Sequence, residues 1–164
     1  MKTIFFSLLL TGLATSAFAQ KIKVENDLVT VDGQPYARIE KDGCGMMDLD
    51  CSYHVKSLQN QQLFTVKQVI FNDPGQISAS NPEGRTLYLQ YIFTASRTTA
   101  ETSFPATLHL RALDVARKVY QAHLLKEGTL DAEVADTFVL DKGTPFSQRR
   151  REINPQVIVV PSGH

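Results

Sequence analysis

Both cysteines of the chain, two of its three methionines and one of its four histidines fall in a single stretch, "DGCGMMDLDCSYH", from Asp42 to His54. Thiolate, thioether and imidazole are the donors that soft Cu(I) prefers, so Cys44, Met46, Met47, Cys51 and His54 form a candidate soft-metal set. The competing chemistry is a disulfide between Cys44 and Cys51. Gly45 frees the backbone for a tight return between them, and closing so short a loop stabilises by about 2–3 kcal/mol in the chain-entropy picture. Strand parity separates the two readings. If residues 51–58 are extended, Cys51, Tyr53 and Val55 share one face while Ser52, His54 and Lys56 share the other. Cys51 and His54 then point apart, which favours the disulfide, with Met46 and Met47 as apolar loop residues and no cofactor.

The remaining candidates for chemistry are sparse. "SQRRRE" (Ser147–Glu152) is the one charge cluster, and Arg149, Arg150 and Arg151 could contact an anion or an acidic partner. His109, His123 and His164 stand apart from any close metal-binding pair such as H-E-x-x-H. There is no G-x-S-x-G elbow, no S-x-x-K and no phosphate-cradling glycine pattern. Asp48 and Asp50 are neighbours without a recognisable pocket. No catalytic constellation is legible, and the expectation is a protein that binds rather than catalyses.

The N-terminus bears on compartment. Lys2 precedes an apolar run, Ile4–Ala14, too short to span a bilayer, and Ala17-Phe18-Ala19 is a small-x-small cleavage pattern. Residues 1–19 are therefore expected to be a signal peptide, with the mature chain starting at Gln20 and periplasmic or secreted. In such an oxidising compartment two cysteines point to one disulfide. The formal net charge is zero for the full chain and falls to −1 once Lys2 leaves with the leader. That balance argues against nucleic acid as a partner. No later stretch is long and apolar enough for a transmembrane helix. The partner is left open, with another envelope protein as the expected kind.

The elements that would position these residues begin as strands. "KIKV" (Lys21–Val24) alternates, and "LVTVDGQPYARIE" reads as a hairpin turning at Asp32-Gly33, with Pro35 at an edge or entering the ladder late. "CSYHVKSL" and "LFTVKQVIF" make a second hairpin, and Asp73–Arg85 is a loop by composition. Thr86–Ser96, apolar on both faces, reads as a central strand. "FPATLHLRA" reads as a further strand. Apolar residues then recur at three- and four-residue spacing from Leu113, predicting a helix to Lys126 stopped by Gly128. Asp131 predicts the cap of a second helix running to Lys142. From about residue 147 the chain reads as an irregular tail, with one short apolar run at Val157–Val160. The expected fold is α+β: an antiparallel meander of five or six strands, then two consecutive helices packed on the sheet, all in one domain over 20–164.

This order of features resembles small exported bacterial proteins of unknown function. The resemblance rests on the leader, "VTVDGQPYARIEK", "YHVKSLQNQQLF", the aromatic strand, "VARKVYQAHLLKEGTLDAEVADTFVL" and the arginine-rich tail. It covers most of the mature chain and implies no activity. Three functions are thus expected, in order: an envelope binding or interaction module, a soft-metal binder on the 44–54 segment, and an enzyme whose site assembles only in the fold.

Overall fold

The computed structural model describes residues 20–43, 51–105 and 109–154. Local turn chemistry builds the sheet from its first edge. β1 (Ile22–Glu25) and β2 (Leu28–Val31) are joined by Asn26-Asp27, both at positive φ, and β2 joins β3 (Gln34–Asp42) through Asp32 (φ 51°) and Gly33 (φ 84°). Paired left-handed residues twist a two-residue turn to match the strands, which is why Asn, Asp and Gly occupy these places. Pro35 pairs with Thr30 only, because β4 (Ser52–Lys56) first meets β3 at Arg38. Its missing N–H therefore costs no ladder bond. Tyr36 is the extra residue of a bulge beside it.

β5 (Gln62–Asn72), β6 (Arg85–Phe93) and β7 (Thr98–Phe104) complete one antiparallel sheet in which spatial order follows chain order from β1 to β7. The sheet thus has seven strands, more than the five or six expected. The seventh is not "FPATLHLRA" but the polar "TTAETSF", and His109-Leu110 lies outside any strand. An edge strand needs few apolar residues: Ala100 is buried on one face and Glu101 on the other.

Alternation then sends each strand's side chains to two different layers. Leu87, Leu89, Tyr91 and Phe93 of β6 are all at most 3% exposed and face the main core with Phe64 and Val66 of β5. Each such side chain contributes about 1.5–3 kcal/mol by leaving water. α1 (Ala112–Gln121) and α2 (Ala132–Lys142) cover that face. α1 sets Val115, Ala116 and Val119 inward and packs Tyr120 edge-on against Tyr36, with centroids 5.4 Å apart.

α1 ends five residues before the sequence pattern predicts. Ala122 ends the helix, His123 turns the chain at φ 51°, and the buried Leu124 and Leu125 lead into a small hairpin instead. Its strands are β8 (Leu125–Lys126) and β9 (Thr129–Leu130), and its turn is Glu127-Gly128, both at positive φ. Asp131 then caps α2 through the Val134 N–H at 3.2 Å.

The expected irregular tail from 147 is corrected to a helix, α3 (Pro145–Ile153), separated from α2 only by Gly143-Thr144. Val157–Val160 lies outside the described residues. α3 packs on the opposite face of the sheet from α1 and α2. Phe146 stacks on Tyr88 at 5.1 Å, within a second cluster of Val69, Phe71 and Tyr88. The α2–α3 junction also blocks the outer edge of β7, since the Glu101 N–H donates to the Gly143 carbonyl at 2.9 Å.

Arg149 of α3 holds the loop after β5 by a two-pronged ion pair on Asp73, Nε to Oδ2 at 3.1 Å and Nη2 to Oδ1 at 3.0 Å. Those bonds, and then the Gly75 N–H, keep the Asp73 carboxyl below its usual pKa of 3.8. A depressed carboxylate stabilises the fold above its unfolded pKa, and the contribution is lost as pH falls through the lower folded value. Arg149→Met should therefore flatten the acid limb of stability below about pH 4. Urea midpoints of both proteins at pH 6 and pH 3 check this: the gap between them should narrow at the lower pH.

Candidate functional site

A groove of about 490 Å³ runs beneath the helices, between the C-terminal half of α1, the length of α2 and the strands β6 and β7. That volume is within the range of small-molecule sites. Tyr91, Ala122, Val134 and Phe138 supply its apolar surface, with the Phe138 ring edge-on to Tyr91 at 5.0 Å. The groove exists because the β8–β9 hairpin separates α1 from α2, so the two helices do not close over β7 as one continuous lid.

Two hydroxyls lie at its base. Burial pushes the Tyr91 hydroxyl up to about 12, and the neighbouring Thr102 hydroxyl offsets part of that rise. Thr102 Oγ1 is itself buried, yet it makes no hydrogen bond of regular geometry among the described residues. A buried hydroxyl in that condition carries a penalty of about 1–3 kcal/mol. The rim is charged. Lys118 leans over the Phe104 ring at 5.9 Å, and Lys142 pairs with Asp141 at 2.6 Å. Among the described residues the lining includes no histidine, cysteine or serine. What it offers is apolar contact, two neighbouring hydroxyls and cations at the entrance.

The residues singled out in the sequence lie elsewhere. Cys51 is buried in the main core beside Tyr53 and Val55, whereas His54 occupies the opposite, half-exposed face of β4. There His54 Nδ1 lies 3.1 Å from Thr65 Oγ1, and Nε2 lies 3.6 Å from Asp42 Oδ2. Lys56 pairs with Glu40 on the same face. Two of the five soft-metal candidates thus diverge, and Cys44, Met46 and Met47 lie outside the described residues. Among the described residues no group of three or more His, Cys, Asp or Glu could hold a metal ion. Of the arginines, Arg149 is committed to Asp73, while Arg150 and Arg151 are exposed on α3. Among the described residues no helix is long and apolar enough to cross a membrane.

Tyr91, Thr102 and Phe138 were not legible as a set, because they meet only through the register of β6 with β7 and the placement of α2. The pairing Leu89↔Thr102 and Tyr91↔Ala100 brings the first two onto one face. No spacing rule along the chain encodes that. No protein-family model matches the chain, no curated protein does, and no solved structure does.

Proposed function

We propose that the chain is an exported, non-enzymatic binding module, and that its ligand seat is the groove between α1, α2 and β6–β7. The observation that carries the reading is an apolar groove of ligand size with the Tyr91 and Thr102 hydroxyls together at its base. Export rests on Lys2, the short apolar run and the Ala17-x-Ala19 pattern. The ligand would be an amphipathic molecule, with its apolar body on Tyr91, Val134 and Phe138 and its charge at the rim.

Two variants test the seat. Thr102→Val removes a hydroxyl that makes no bond of regular geometry while keeping its shape, and should raise the stability of the unliganded protein by about 1 kcal/mol in urea denaturation. A loss of stability would mean that the hydroxyl is bonded in the native protein. Ala122→Trp fills the groove from α1. It should weaken binding of 8-anilinonaphthalene-1-sulfonate, followed by its fluorescence, at least tenfold with unchanged far-UV dichroism. Equal binding by wild type and this variant would remove the groove as the seat.

The proposed Cys44–Cys51 bridge gives a third outcome. The exported protein should begin at Gln20, weigh two hydrogens less than its reduced form, and take up alkylating reagent only after reduction. Alkylation of both cysteines without reductant would reject the bridge.

A further inference from the structure

The sheet's two edges differ. β7 is blocked by the α2–α3 junction, whereas β1 pairs with β2 and, among the described residues, no other strand lies against its outer side. The turn decides which backbone groups of β1 face outward. A two-residue turn at Asn26-Asp27 makes Glu25↔Leu28 a hydrogen-bonded pair, and the bonds of an antiparallel ladder then recur at Lys23↔Thr30. The Lys21 carbonyl keeps the alternation, accepting from the Asp32 N–H at 3.0 Å. Ile22 and Val24 therefore turn their N–H and C=O groups away from β2. Beside Ile22 is a notch of about 410 Å³ lined by Arg117, Tyr120 and Gln121 of α1, so the helix does not close over this edge.

An edge of this kind is a template for a further strand, and the charges of β1 select which one. They are antisymmetric about Val24: Lys23 precedes it and Glu25 follows, and Lys21 and Asp27 repeat those signs two residues further out. Ile22 and Val24 pack towards the main core, so Lys23 and Glu25 share the opposite, exposed face, with Nζ 3.7 Å from Oε1. An antiparallel copy of the same strand, centred on Val24, sets Lys23 opposite Glu25 twice. Val24 then exchanges backbone bonds with its counterpart, as two outward-facing residues can, and the Lys23–Glu25 pairs fall at the positions where side chains lie closest. Sliding one copy by two residues keeps the ladder but sets Lys23 against Lys23, or Glu25 against Glu25. We propose that β1 is the seat of a twofold dimer, pairing antiparallel about Val24 with β1 of a second copy to make one sheet continuous across both. The interface does not rest on the ligand groove at β6–β7.

Sedimentation velocity of the mature protein at concentrations up to about 1 mM tests the dimer. A pair of four-residue strands is a small interface, and a Kd on the order of 100 µM is expected. Lys23→Glu and Glu25→Lys should each weaken self-association about tenfold, because each sets like charges face to face in both cross-strand pairs. An equimolar mixture of the two variants should associate as tightly as wild type, since opposite charges then face again. Misfolding of either variant could not produce that recovery. Val24→Pro removes the outward N–H without touching the bonds to β2, and should abolish the dimer with unchanged far-UV dichroism. Wild type that stays monomeric at about 1 mM would overturn the proposal and leave the edge to a strand of different sequence. A mixture no tighter than its separate components would overturn it too, as would a dimer that survives Val24→Pro.

Discussion

Replacing Glu101 with alanine is expected to cost about 3–5 kcal/mol and to free α3 from the sheet. The reason lies in what a helix start requires. The first N–H groups of α3 have no partner within the helix, and Pro145 at the first position removes one of them by chemistry. Glu101, only 2% exposed, accepts the next two from β7: Phe146 N–H at 2.9 Å and Ser147 N–H at 3.0 Å. The Ser147 hydroxyl also donates to this carboxylate, and Gln90 Nε2 donates to it at 3.2 Å. One buried anion thus satisfies four donors and sits at the positive end of the helix dipole. Alanine would strand the two backbone N–H groups, while the Ser147 hydroxyl keeps Tyr88 at 3.2 Å and Gln90 Nε2 keeps Ser147 Oγ at 3.3 Å. Glutamine keeps one acceptor oxygen and should cost roughly half as much. Urea denaturation measures both, and amide exchange over 146–153 reports whether α3 is released before the sheet unfolds. A cost for alanine under about 1 kcal/mol would show that water replaces the carboxylate without penalty.

The second large effect is expected at Gly84. Its φ is +63°, and a Cβ there would lie 2.2 Å from the Asp73 carbonyl oxygen and 2.9 Å from its carbon. These are backbone atoms, fixed by the Asp73 N–H donating to the Gly84 carbonyl at 2.8 Å, and cannot swing aside as a side chain would. Gly84→Ala combines that overlap with a left-handed backbone and should cost about 3 kcal/mol or more. Gly33→Ala is the control. Gly33 shares the positive φ, at +84°, but a Cβ there meets nothing within 4 Å, so only the conformational cost of about 1 kcal/mol remains. Parallel urea curves for the two variants separate the terms. Equal costs would mean that the loop from Asp73 to Gly84 yields readily.

How far the sequence foretold the structure depends on where each element's cause resides. β4 and the first half of β5 were legible because one face is buried and the other is not, so apolar residues alternate. The Asp32-Gly33 turn was legible because its chemistry is local. α3 was not: its residues are mostly polar, and the group that caps it is Glu101, more than forty residues upstream. "TPFSQ" nonetheless carries a local signal, a threonine followed by proline at a helix's first position. The β8–β9 hairpin was missed because Leu124 continues the apolar spacing of α1 into a segment whose Glu127-Gly128 pair turns it back. β7 was missed because its burial comes from the elements that cover it and not from its own alternation. The groove is the extreme case, since its depth depends on how far apart two helices are held.

The spatial order of the sheet has a consequence for how the chain assembles. Each of the seven strands pairs only with its sequence neighbours, so each strand can join a sheet already begun by those before it, without waiting for residues still to come. Short sequence separations favour fast closure of every hairpin in turn. The contacts that must wait belong to the helices: α1 returns to β1 and β3, and α3 brings Arg149 back to Asp73. Folding should therefore run as a zipper from the N-terminal edge, fastened at the end by α3. A C-terminal truncation before Pro145 would leave the sheet paired but expose the ring of Tyr88 and the carboxylate of Glu101, turning a late fastening into the step on which solubility depends.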